Sequence, residues 1–179
     1  MDEEKTIEFT SSRILLEMAK DEYTKERERA NALDSKASFF LTVIVAVATI
    51  FIPIIPFEKI IVVFSSGDCW RKCLTSALLV GLIVAISLLR GAFIELYDAY
   101  KLMDYKRPSL EAIADNQYHV MSEDQMNKGL CDHYKTVVDY NVIVNDKKCE
   151  SITAGIKQCG TGFLALAITA ICIQIVIGG

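Results

Sequence analysis

Residues 37–57 read ASFFLTVIVAVATIFIPIIPF, twenty-one positions without a charged side chain. At about 1.5 Å of rise per residue, such a run crosses a hydrocarbon layer of roughly 30 Å as a single helix. Two other runs share the property. One is Cys73 to Leu89, which extends to Ile94 if Arg90 and Gly91 are carried along; the other is Cys159 to Gly179. With 52% of its 179 residues hydrophobic, the chain does not read as an ordinary water-soluble globule.

Outward from the first run, Pro53 and Pro56 fall where a helix can stop or kink at small cost, and Glu58-Lys59 marks the water boundary. The apolar run Ile60 to Phe64 reads either as an interfacial element or as a short buried turn. On the other side, residues 6–36 contain no Pro or Gly and are rich in Glu, Lys, Arg, Ala and Leu, which favours one long helix. Its seam, Phe9, Ser12, Leu16, Ala19, Tyr23, Glu26, Ala30 and Leu33, repeats every 3.5 residues. That period seeks a second helix, either the middle segment or a neighbouring subunit. Nothing between Asp34 and Phe39 breaks the helix before it becomes apolar.

After Ile94 the pattern predicts a helix that turns amphipathic and ends at Pro108, a short helical piece over Ser109 to Asn116, and a capping box at Ser122-Glu123-Asp124-Gln125. The helix so opened carries Leu130, Tyr134, Val137 and Val138, continues through Asn141 and Asn145, and feeds Ile152, Ile156 and the third span. The expected fold is therefore an all-α membrane protein. A long N-terminal helix (1–36) runs into the first transmembrane helix (37–57); an outer loop (58–72), a second span (73–94), a small helical cytoplasmic domain (95–158) and a third span (159–179) follow.

Charge supplies an orientation. Seven Lys or Arg precede the first span, three lie between the first and second, and nine lie from Arg90 to Lys157. Basic residues are retained on the cytoplasmic side, so the N-terminus and the middle segment are expected inside, with the short loop and the C-terminus outside. The acidic opening Met1-Asp2-Glu3-Glu4 and the depth of the first apolar run argue for a retained anchor rather than a removed signal peptide. A net charge of −4 gives no footprint for nucleic acid, and no direct nucleic-acid binding is expected.

No chemistry-bearing constellation emerges. His119 and His133 have no ligand-spaced partners, no Cys-x-x-Cys pair occurs among the six cysteines, and there is no Gly-x-Ser-x-Gly elbow, phosphate-binding glycine loop or His-Glu-x-x-His sequence. No catalytic, cofactor-binding or metal-ligating residue is assigned and no cofactor is expected. Cys69 and Cys73 share an oxidising side and read either as free thiols or as a bridge. A ribonuclease of the type that sets Arg, four to six intervening residues and then His finds no such arginine; a divergent pairing of Asn127 with His133 is the remaining form.

Within the spans, Ala77, Gly81 and Ala85 form one small-residue stripe and Thr161, Ala165 and Thr169 another, suited to close helix approach within the chain or between copies. Arg90 reads as an interfacial anchor or as a charge with a partner, and Gln174 as a second polar group at depth. Three helices surround too little volume for a conduit, so a pore requires a ring of copies.

The stretch Glu26-Arg-Glu-Arg-Ala-Asn-Ala-Leu-Asp-Ser-Lys-Ala-Ser38, entering directly into the apolar run, resembles the R-A-x-x-L-D-x-K-A signature of small transmembrane effectors of bacterial antiphage systems, the Pycsar-type family, through Arg29, Ala30, Leu33, Asp34, Lys36 and Ala37. Asn141 and Lys147 before the last span are similar to that family's C-terminal portion. In size and layout the chain looks most like the membrane accessory proteins of RNA-targeting type VI-B CRISPR systems. The resemblance implies a homo-oligomeric antiviral pore that depolarises the membrane in support of an RNA-guided nuclease. Nucleotide-binding residues of Pycsar proteins have no counterpart here. Arg29, Asp34 and Lys36 are then either axial charges at a pore mouth or a topology anchor with local ion pairs, such as Arg29 with Asp34 or Glu26. The other readings of the chain are a non-conducting tether that recruits a soluble partner and a membrane-bound divergent ribonuclease.

Overall fold

The structure is a computed structural model that describes residues 11–66, 68–101, 105–109 and 121–178. Helix α1 spans Ser12–Phe51, α2 Phe57–Ser66, α3 Cys69–Lys101 and α4 Glu123–Gly178. Among the described residues there is no strand. Three helices, α1, α3 and α4, are long and apolar enough to cross a membrane.

Helix α1 runs forty residues because no Gly or Pro interrupts it. Pro53 ends it: the chain tightens into a 3-10 turn over Ile52–Ile54 and becomes extended at Ile55. Pro56 then starts α2, its carbonyl accepting the Ile60 N–H at 3.1 Å. Residues 58–72, expected as a loop, are thus largely helical. The open reading of Ile60 to Phe64 resolves into one amphipathic helix, with Ile60 buried and Val63 packed on the core while Ile61 and Phe64 are exposed.

Helix α3 buries Thr75, Leu82, Leu89 and Leu96 on one line and Ala85, Ala92 and Ala99 on the next. Each line repeats every seven residues, the period of a seam between two helices. The partner is α4, which runs antiparallel to it. An added Cβ at Gly155 would fall 2.8 Å from Leu96, one at Gly162 2.8 Å from Leu89, and one at Gly81 3.2 Å from Thr169.

The four-residue stripes therefore require correction. Gly81, Ala85, Ala165 and Thr169 lie on or beside this contact, but Ala77 and Thr161 are exposed. Leucine knobs over glycines bring α3 and α4 together, and a strict i, i+4 line drifts off a seam of period 3.5.

The amphipathic continuation of α3, expected to reach Pro108, is described as helix to Lys101 and is no longer helical at residue 105. Residues 105–109 are not helical, because Pro108 disfavours the helical conformation of the residue before it and Asn141 takes the local backbone. The Lys106 N–H donates to Asn141 Oδ1 and the Lys106 carbonyl accepts from Asn141 Nδ2, both at 3.0 Å. Most of the short helical piece expected over 109–116 lies outside the described residues; Ser109 itself is not helical.

The capping box opens α4. The Gln125 N–H donates to Ser122 Oγ at 3.4 Å and the Ser122 N–H to Gln125 Oε1 at 3.2 Å. Fifty-six residues follow without a break, so the expected boundary at 158/159 is interior to one helix. Ser122→Ala should lower stability by about 1 kcal/mol, seen as a small drop in thermal midpoint in mild detergent with unchanged helix content.

The chain divides into two compact units. One comprises Met1–Leu33 with Met103–Lys147, the other Asp34–Leu102 with Lys148–Gly179. The N-terminal helix and the middle segment, read from sequence as separate pieces 1–36 and 95–158, thus share a unit. The seam of α1 explains this: Ser12, Leu16 and Ala30 are buried, and its partner is the middle segment of the same chain. The second unit is built around Ile55, Ile60, Leu82, Ala85, Leu89, Leu166 and Ile173.

Candidate functional site

Two polar side chains of the motif on α1, Arg29 and Asp34, each meet a residue of α4. In the first unit the two helices run parallel, since partner numbers rise together. Ser12 Oγ donates to Asp124 Oδ1 at 2.7 Å, Tyr23 meets Tyr134 edge-on at 5.8 Å between ring centroids, and Asn145 Nδ2 donates to the Glu26 carboxylate at 2.8 Å and its carbonyl at 3.0 Å. Both polar interruptions of the α1 seam are therefore matched by polar residues on α4, as burial demands.

Arg29 pairs with Asp146 at 2.6 Å and with Glu26 at 3.5 Å. Of the two ion pairs considered for it from sequence, Glu26 is present and Asp34 is not. The hydrogen bond to Asp146 raises the Arg29 pKa above its ordinary value, against the cost of partial burial. Asp34 belongs to the second unit, where it accepts from Lys148 Nζ at 2.8 Å. Lys148 is 3% exposed and Asp34 26%, so this ion pair is enclosed from the lysine side. Lys36, two residues on and on the opposite side of the helix, is exposed.

Tyr105 completes the first unit's aromatic cluster, with its ring 6.4 Å from that of Tyr23, while Lys106 Nζ lies 4.1 Å over the Tyr140 ring. Burial pushes the Tyr105 phenol up to about 12, with Tyr23 and Glu26 adding to the effect. A folded-state pKa above the unfolded one means the unfolded chain loses its proton first as pH rises. Stability is then full below about 10 and falls between about 10 and 12. Tyr105→Phe keeps the ring and should flatten this alkaline limb, measured as thermal midpoint against pH.

Comparison with protein-family models, curated proteins and solved structures returned no match. The site is therefore read from its own geometry.

Gln174 Nε2 donates to the Ile54 carbonyl at 2.7 Å, supplying a partner where the proline-broken end of α1 leaves the helical ladder. Arg90 is exposed and lines an apolar groove. Cys69 and Cys73 stand one turn apart at the start of α3, and all six thiols are free.

His133 is half-buried, and its Nε2 is buried without a partner among the described residues. Asn127, six residues earlier, is buried and lies roughly 240° around α4 from it, so the two do not converge on one face. His119 lies outside the described residues. No group of three or more His, Cys, Asp or Glu positioned for a metal occurs among the described residues.

Sequence reasoning missed Lys148, Asp146, Gly155 and Gly162. For Lys148 a signal was present: Asn141, Asn145 and Lys148 follow at helical spacing on the line that continues to Ile152 and Cys159, all buried. A polar run inside an apolar stripe calls for polar partners on the facing helix.

Proposed function

We propose that this chain is an antiviral membrane effector whose copies assemble into a ring, form a pore and depolarise the inner membrane in support of an RNA-guided nuclease. The observation that carries the reading is the uneven cover of the spans. Only 11% of the apolar window of α1 is buried within the chain, against 22% for α3 and 33% for α4. Helix α1 has its neighbours on one seam, and the rest of its apolar surface is open to lipid or to further copies. It is also the helix that carries the motif, with Asp34 paired to the buried Lys148 and Lys36 left exposed. Repeated around an axis, that lysine is the charge that a permeating ion meets.

The test is electrical. Cells carrying the protein, the nuclease and its target RNA should lose membrane potential, followed with a potential-sensitive dye, and Lys36→Glu should shift the conducted current toward cations. A sustained potential while the nuclease is active contradicts the proposal.

One observation favours the tether reading. Ile14, Leu15 and Met18, outside the apolar span of α1, are 61%, 50% and 61% exposed, an apolar patch of the kind that docks a protein partner. A tether would lose that partner on Ile14→Glu/Met18→Glu while membrane potential stayed constant throughout.

A further inference from the structure

Between α1 and α3 lies a groove of about 290 Å³, lined by Ile44, Phe51, Leu82, Ile86 and Phe93 among others, with Arg90 as its charged lining residue. On α3 the lining extends from Leu82 to Phe93, roughly 16 Å along the helix. All of it belongs to the second unit and, Ile55 apart, to the segments long and apolar enough to cross a membrane. Arg90 directly follows the uncharged run Cys73–Leu89 and is exposed, without a hydrogen bond or ion pair to any described residue.

We infer that the groove holds an acyl chain of a membrane phospholipid whose phosphate binds Arg90. An unpaired guanidinium at the edge of a hydrocarbon layer draws an anion or water to itself, and its planar fork matches a phosphate with two parallel hydrogen bonds. Apart from Arg90, the groove is lined by apolar side chains and so favours hydrocarbon over water. A phospholipid supplies both halves at once, an anion at one end and an apolar chain beyond it. A free anion alone leaves the groove unfilled. The site requires only that the chain sits in a bilayer and is independent of conduction.

Full-length protein stripped of native lipid in detergent can be titrated with phosphatidylglycerol, with diacylglycerol of the same chains, and with glycerophosphate, and bound ligand counted by native mass spectrometry. One phosphatidylglycerol per chain is expected, with much weaker binding of the other two. Arg90→Gln should weaken phosphatidylglycerol about tenfold, the scale of a lost charge-assisted hydrogen bond, and Arg90→Lys less. Ala48→Phe, which fills the groove and leaves Arg90 intact, should also expel the lipid. Equal phosphatidylglycerol binding by wild type and Arg90→Gln, undiminished binding by Ala48→Phe, or diacylglycerol or glycerophosphate binding as well as phosphatidylglycerol overturns the assignment.

Discussion

Asp34→Ala is expected to lower stability by about 3–5 kcal/mol, because it leaves the Lys148 ammonium, 3% exposed, without its carboxylate. Lys148→Ala should cost less, since Asp34 is 26% exposed and can take water in place of the lysine. The double variant Asp34→Ala/Lys148→Met should recover most of the loss, because neither charge then remains enclosed. Thermal midpoints in mild detergent for the four proteins close the cycle, and the single Asp34 change should shift the midpoint by roughly ten degrees. Equal midpoints for wild type and Asp34→Ala would mean that Lys148 is hydrated and the pair contributes nothing. The expected result makes the aspartate of the motif a clamp between α1 and α4.

The second large effect lies between α3 and α4. Gly155→Leu places a side chain where even a Cβ meets Leu96 Cγ at 2.8 Å and the Ala92 carbonyl oxygen at 3.3 Å, and Leu96 is fully buried. Gly162→Leu meets Leu89 in the same way, with Leu88 Cβ at 3.3 Å. Overpacking of this kind typically costs about 1–3 kcal/mol; at Gly155 the obstruction includes backbone and at Gly162 it is made by the Leu88 and Leu89 side chains, so each change should part the two helices. Gly160→Leu is the internal control, since nothing lies within 4 Å of an added Cβ there. Cysteine cross-linking between α3 and α4 should fall sharply for Gly155→Leu and Gly162→Leu and stay unchanged for Gly160→Leu. Equal cross-linking in all three would show that the glycines do not set the distance between these helices.

Much of this architecture was legible because it follows from local rules. The absence of Gly and Pro carried α1 into its span, Pro53 ended it, and the Ser122–Gln125 box opened α4. The α1 seam was legible as a period, but a period specifies a helix and not which helix. Its partner is identified by matching the polar interruptions Ser12 and Glu26 to Asp124 and Asn145, a comparison of two seams that neither reveals alone.

The α3–α4 contact was hidden for a different reason. Any helix rich in Ala and Gly offers several lines of small residues, and the line through Ala77, Gly81 and Ala85 was as regular as the one in use. The seven-residue alternation of Leu82, Leu89 and Leu96 with Ala85, Ala92 and Ala99 was the better signal, because only a period near 3.5 keeps one face against a neighbour over many turns. The non-helical backbone at Lys106 was only partly legible: Pro108 is a local signal, but Asn141, thirty-five positions after Lys106, grips the backbone of that residue.

The proposal of a conducting ring is tested most directly by the assembly of the purified chain in lipid nanodiscs, imaged for symmetry and axial radius. The account predicts a closed ring of copies around a continuous water-wide path, with Lys36 facing that path and α1 contributing to the contacts between copies. Particles containing a single chain, or rings whose axis is filled by packed side chains along its whole length, would contradict it.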